Sequence, residues 1–226
     1  MKTCKRFTYL LFFVFSINLL FSQNKDDALL YHLEGIKLFN NKKYEEAIAN
    51  FSKVLKISQQ IYSKEIEGIA LNNIGLCYKN LGDNGKAVQY FNQSLEIKKI
   101  FNNKPEIIAI LNRIAISYEK LGELDKALKS YESILDKLDI NKNDKFKAKT
   151  FNSIGDIYYR LNDLKTAIFY YEESIKVSSS FNDDLLVAES LRKIGSIYND
   201  MGDKKEGIRL FNRAYELEKG VKKNDH

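Results

Sequence analysis

Apolar residues recur at helical spacing along most of the chain, in blocks separated by short polar stretches. In the stretch 71–95, LNNIGLCYKNLGDNGKAVQYFNQSL, the residues Leu71, Ile74, Tyr78 and Leu81 stand three or four apart. That spacing lays an apolar stripe on one helix face. Gly82 follows the stripe, where a residue that tolerates left-handed backbone ends a helix. A second stripe, Ala87, Phe91 and Leu95, is spaced by four. The block therefore predicts a helix A, a tight turn and a helix B.

The same frame recurs every 40 residues. A small residue, at Gly35, Gly75, Ala115, Gly155 and Gly195, anchors each copy. Twelve residues on stand Ala47, Ala87, Ala127, Ala167 and Gly207, and sixteen on an aromatic ring, Phe51, Phe91, Tyr131, Tyr171 or Phe211. Gly122, Asn162 and Gly202 repeat the turn position of Gly82. A regular period of this length signals a solenoid of stacked helix pairs. The small residue at the anchor is expected to face the small residue twelve on, letting the helix axes approach to about 8–10 Å.

The pattern L-x-x-I-G-x-x-Y-x-x-L-G-x-x-x-x-A-x-x-x-F resembles the tetratricopeptide repeat. The resemblance covers roughly Asp26–Lys219 and implies an all-α fold: an α-solenoid of five TPR-like helix-turn-helix repeats in a right-handed superhelical stack. The repeats are expected near 28–62, 68–102, 108–140, 148–182 and 188–219, within one domain spanning 23–220, with a polar tail at 221–226. Three departures stand out. The unit is longer than the usual 34 residues, so helices or connections are extended. The first copy has Leu38 in place of Tyr and lacks the Leu-Gly turn. The fifth has Gly207 in place of Ala, which weakens its B helix by roughly 1 kcal/mol.

The first 22 residues lie outside the repeats. Lys2, Lys5 and Arg6 precede a nearly unbroken apolar run, Phe7–Phe21, and Ser22 is a small residue before Gln23. This is the pattern of a signal peptide at 1–22. The run falls short of the roughly 20 residues of a membrane-spanning helix, so export to the periplasm or medium is expected, with no stable span after cleavage. The bulky Leu20 at −3 keeps an N-terminal anchor as the alternative. Cleavage takes the formal charge from +6 to +3, with 33 basic and 30 acidic residues left, which gives no reason to expect nucleic acid as a partner. Cys77 remains as the single cysteine, expected to be a buried free thiol.

Polar connections join the repeats. Pro105 suits the first turn of a helix, and the acidic residues of Asp144 and Asp183–Asp184 suit helix N-caps. No constellation for catalysis or metal binding is present: the two histidines, His32 and His226, have no partners at ligand spacing, and His32 is distant in sequence from Cys77. The segment Gly82–Ala87 superficially resembles a phosphate loop but has Asn80 for its first glycine and Ala87 for its hydroxyl. Paired carboxylates such as Glu172 and Glu173 diverge around a helix and belong to solvated faces. No enzyme activity and no cofactor are therefore expected.

The family resemblance implies a concave groove lined by helices A and filled by a peptide or protein. The candidate lining residues are Asn72, Asn73, Asn112, Arg113, Asn152, Tyr159, Arg160, Arg192 and Lys193. The series Asn72, Asn112 and Asn152 is the strongest local feature, because an amide offers a donor and an acceptor together to an extended backbone; fixing the packing of neighbouring helices is the other use of such a series. The chaperone-tail clamp of one tetratricopeptide subfamily is excluded, since only Asn73 and Arg113 match it, while His32, Ile36 and Ala109 do not. The expected function is a non-catalytic protein- or peptide-binding scaffold. The alternative is an extracytoplasmic sensor or input module, with Ile208, Phe211 and Tyr215 on an uncapped last repeat as a surface for homo-oligomer formation.

Overall fold

The computed structural model describes residues 23–138 and 145–224, with side chains up to residue 221. The expected signal peptide, the Asp144 cap and the end of the tail lie outside the described residues. The described residues are helical and contain no strand. They form α1 (residues 23–40), α2 (Tyr44–Gln60), α3 (Lys64–Asn80), α4 (Asn84–Ile100), α5 (Lys104–Leu121), α6 (Leu124–Lys137), α7 (Lys145–Arg160), α8 (Leu164–Ser179), α9 (Asp184–Asp200) and α10 (Lys204–Asn224). Odd-numbered helices are the A helices and even-numbered ones the B helices. The contacts group into two compact units, one ending at Leu121 and the other beginning at Gly122.

The extra length of the repeat resides in the helices. The A helices start at Lys64, Lys104, Lys145 and Asp184, about two turns before their apolar stripe begins at Leu71, Leu111, Phe151 and Leu191. The connections within the second, fourth and fifth repeats are three residues long. One aspartate does two jobs in each. The Asp83, Asp163 and Asp203 N–H groups donate to Tyr78, Tyr158 and Tyr198 carbonyls at 3.0, 2.9 and 2.9 Å, closing helix A. Their side chains accept the N–H of Lys86, Thr166 and Glu206, capping helix B. Asp183 caps α9 through Leu186 N–H at 3.0 Å. The left-handed residue preceding each of these turns is Gly82, Asn162 or Gly202, with φ of 85°, 62° and 88°. The first repeat uses Lys42, at φ 61°, in place of glycine.

The anchor glycines seat an aromatic ring. A Cβ built on Gly35, Gly75 or Gly155 would lie 2.6, 2.7 and 2.6 Å from ring carbons of Phe51, Phe91 and Tyr171. The anchor therefore makes room for the aromatic residue sixteen on. The small-to-small approach occurs in the fifth repeat, where a Cβ on Gly207 would meet the Gly195 carbonyl at 2.9 Å. The ring sits in the A–B interface because the antiparallel register of the pair brings the middle of α4 against the middle of α3. One residue earlier on the B helix, Tyr90 and Tyr170 stack on Tyr78 and Tyr158 with centroids 5.4 and 5.5 Å apart.

In the first unit Leu38, Ala47, Phe51, Ile74 and Cys77 form a buried cluster; in the second, Ala167, Tyr171, Val187, Leu191, Ile194, Ile197 and Leu210 do so, with Ala188 and Ala214 filling gaps. Burial pushes the Cys77 thiol up to about 12, matching its expected role as a small hydrophobe. The last helix runs on to Asn224, past the expected end near Lys219. Gly220 costs a helix only about 1 kcal/mol and does not adopt the left-handed backbone that ends the others. Among the described residues no helix is long and apolar enough to cross a membrane.

Candidate functional site

Clefts between successive A helices carry four of the candidate residues, Asn72, Arg113, Asn152 and Lys193. In the first unit, one cleft of about 180 Å³ opens between α1 and α3 and is floored by Val54 of α2. Its walls include Leu29, His32, Ile66 and Ile69. Burial lowers the His32 pKa from its ordinary value, and the lining is apolar apart from this ring and Lys25.

A second cleft of about 190 Å³ lies between α3 and α5 and shares Ile69 with the first. Asn72, Arg113, Lys98 and Glu106 supply its polar lining. Arg113 Nη1 donates to Asn72 Oδ1 at 3.0 Å, and Asn72 Nδ2 donates to Asn73 Oδ1 at 3.3 Å. Burial lowers the pKa of the Arg113 guanidinium, opposed by the more distant Glu106. Lys98 is 5% exposed and is neutralised by an ion pair with Glu106. Arg113 has no ion-pair partner among the described residues.

In the second unit the corresponding cleft, about 280 Å³, opens between α7 and α9. Its residues Lys149, Asn152, Ser153, Asp156, Glu189 and Lys193 include the equivalents, two repeats on, of Ile69, Asn72, Ala109 and Arg113. The chemistry is fully polar here. Lys193 Nζ lies 2.7 Å from Asp156 Oδ2 and 3.4 Å from Glu189 Oε1. Tyr171 Oη donates to Asp156 Oδ1 at 2.7 Å, and burial followed by this bond raises the tyrosine pKa. Asn152 is 3% exposed. Its Oδ1 accepts from Ser190 Oγ at 2.8 Å, while its Nδ2 is buried without a hydrogen-bond partner.

The three asparagines at the same register thus differ. Asn72 is bonded to Arg113 and Asn73, Asn112 is half-buried on α5, and Asn152 holds an unspent buried donor. Tyr159 Oη donates to Asp200 Oδ2 at 2.5 Å, which raises its pKa. Arg192 is drawn to α10 by Glu218, and Arg160 is exposed at the end of α7. Sequence reading missed Lys98 and Ser190. The signal for Lys98 was a charged residue at the repeat position that holds Ser58 and Ser178. The signal for the cross-helix pairs was the period itself: Asn72 with Arg113, and Tyr159 with Asp200, are both 41 residues apart. Among the described residues no group of three or more His, Cys, Asp or Glu side chains could hold a metal ion.

The tetratricopeptide repeat family matches residues 18–100, 106–180 and 148–220. The chain is similar to the Photosystem I assembly protein Ycf3 of Acaryochloris marina, 32% identical over 75 residues, which are 33% of this chain and 43% of the relative. The Rippkaea orientalis protein of the same name is 29% identical over 76 residues, 34% of this chain and 42% of its own. The chain spans less than half the length of the curated relatives it matches. Among solved structures, it resembles a putative kinesin light chain with TPR-like repeats from Podosopora anserina, at TM-score 0.69 and 15% identity, covering 86% of this chain and 97% of that one. It also resembles the apo form of the quorum sensor NprR from B. thuringiensis, at TM-score 0.69 and 20% identity, covering 89% and 57%. At these identities the structural likeness is one of fold. With the family matched over most of its length and the helix pairs in place, the chain belongs to the tetratricopeptide repeat family, an interaction scaffold built of helix pairs.

Proposed function

We propose that this chain is a non-catalytic scaffold that binds an extended peptide or protein segment along its A helices. The observation that carries the reading is Asn152, whose buried Nδ2 has no partner at the wall of an open cleft. An unsatisfied buried donor costs about 1–3 kcal/mol, a cost that a ligand carbonyl would offset. Asn72 and Asn112 stand at the same register, and the assembly proteins among the relatives support a protein as the partner class. A rigid helical wall reduces the ordering cost on the protein's side. The test is a titration of peptides selected on an array against the full chain and its Asn112→Ala, Asn152→Ala double variant. Weaker binding with unchanged helicity by circular dichroism supports the reading; unchanged affinity rejects it.

The second reading, a sensor or input module that works as an oligomer, rests on the end of α10. Ile208, Phe211 and Tyr215 form one stripe and are 59%, 37% and 61% exposed, whereas Phe51 and Phe91 at the aromatic position are at 0%. Apolar stripes of this kind seek a partner. In this reading the chain is exported by its 1–22 segment and pairs through this face. Light scattering on the full chain tests the pairing: a dimer that Phe211→Glu converts to monomer supports it, and a monomer throughout sinks it. Fractionation of cells with N-terminal sequencing tests the export.

A further inference from the structure

The α3–α5 cleft of the first unit differs from the cleft of the second in one respect: it leaves a cation, Arg113, without a counter-charge. In the second unit Lys193 is held by Asp156 and Glu189. The residues two repeats earlier, where those carboxylates would stand around Arg113, are Leu76 and Ala109. Arg113 is half-buried, and its one side-chain bond is to a neutral amide oxygen. Glu106, the acid of the same cleft, is committed to Lys98. The lining therefore carries two cations against one anion. A guanidinium removed from water favours a carboxylate partner and presents donors in a fork that matches one. Next to it, across the shared Ile69, lies the apolar cleft walled by Leu29 and Ile66.

Resting on the peptide-binding reading above, we infer that the first unit selects an extended peptide carrying an acidic side chain for Arg113 and an apolar side chain for the Leu29, Ile66 and Ile69 cleft. Neighbouring helices lie on the order of 10 Å apart, and an extended chain rises about 3.3 Å per residue. The two side chains are therefore about three residues apart in the ligand. Desolvated charge opposite charge sets the preference at the Arg113 cleft, and buried apolar area sets it at the cleft of Leu29 and Ile66.

An array of random 12-residue peptides, N-acetylated and C-amidated, probed with the full chain tests this. The expected enrichment is Asp or Glu spaced two to four residues from Leu, Ile, Phe or Met. For a selected peptide, exchange of the acid for its amide weakens binding to the full chain by about tenfold. Arg113→Gln, which keeps a donor for Asn72, abolishes that difference; Arg209→Gln, a cation on α10 paired with Glu206, retains it. Peptides enriched without an acid, an acid preference that survives Arg113→Gln, or enrichment seen only with a free C-terminal carboxylate each overturn the inference while leaving peptide binding itself intact. An array with no enriched peptide overturns both.

Discussion

Gly75 and Phe91 are in direct contact: a Cβ on the glycine would lie 2.7 Å from both Cδ1 and Cε1 of the ring. The backbone of α3 itself forms the seat for an aromatic side chain that is completely buried. The same relationship holds for Gly35 with Phe51 and Gly155 with Tyr171. These contacts hold the first, second and fourth A–B pairs at close range.

Gly75→Ala is expected to destabilise the chain by about 1–3 kcal/mol, the cost of overpacking a tight interior, although alanine is the better helix former. Gly85 is the contrast. It lies in the first turn of α4, and a Cβ there would meet only Asp83 Oδ1, at 3.7 Å. Gly85→Ala should stabilise by about 0.4–1 kcal/mol through the unfolded chain. Urea denaturation of the two variants, read for midpoint and slope, checks both signs.

Stability should fall in acid. Asp183 is half-buried at the N-terminus of α9, which pulls its pKa up, yet the Lys145 bond and the Leu186 N–H outweigh this and hold the carboxyl below its ordinary value. Asp83 and Asp163 are also held low, by bonds with Lys86 and Thr166. A carboxylate whose folded pKa is depressed contributes stability above its unfolded pKa, near 3.9. That stability is lost as pH falls through the folded value. Melting temperature should therefore drop between about pH 5 and pH 2. Asp183→Asn keeps an N-cap but loses the Lys145 pair, so it should lower the melting temperature at pH 7 and flatten its fall in acid.

Cys77 should resist thiol reagents in the folded protein. It is at 0% exposure and its thiol is pushed up to about 12, so almost no thiolate exists at neutral pH. Alkylation followed by mass spectrometry of the Cys77 peptide should show modification only after denaturation. Labelling under native conditions at a rate near that of free cysteine would place the residue outside the core.

Much of this architecture is legible in the sequence because its demands on residue type are strict. Left-handed turns select Gly82, Gly202 and Asn162, and buried rings and small residues repeat at fixed intervals. Lys42 and Tyr62 occupy left-handed backbone, at φ 61° and 54°, and were not legible, since surrounding hydrogen bonds hold them there against their own preference. The seat that Gly75 provides for Phe91 was not legible either. Ala87 and Phe91 share one face of α4, and only the register of the two helices brings the ring onto the glycine. The candidate lining was legible as a set of polar positions on the A helices. Their pairing was not, because bonds such as Asn152 to Ser190 join side chains across adjacent repeats, and the copies of the motif differ at those positions.

Asn152 allows packing and binding to be separated. If its amide serves the packing of α7 against α9, replacing it should cost the roughly 1–3 kcal/mol of a broken buried bond. The structure argues for the other outcome. Ser190 Oγ also lies 3.1 Å from the Leu186 carbonyl and 3.2 Å from Ser174 Oγ, so it keeps partners when Asn152 is changed. The Asn152 Nδ2 has none to lose. Asn152→Leu removes an unsatisfied donor and adds apolar surface at a buried position. It should leave the melting temperature unchanged or raise it, while weakening the capture of array-selected peptides by about tenfold. A large loss of stability with unaltered capture would assign the asparagine to packing, and a gain of stability at the expense of binding would mark it as a side chain kept for its ligand.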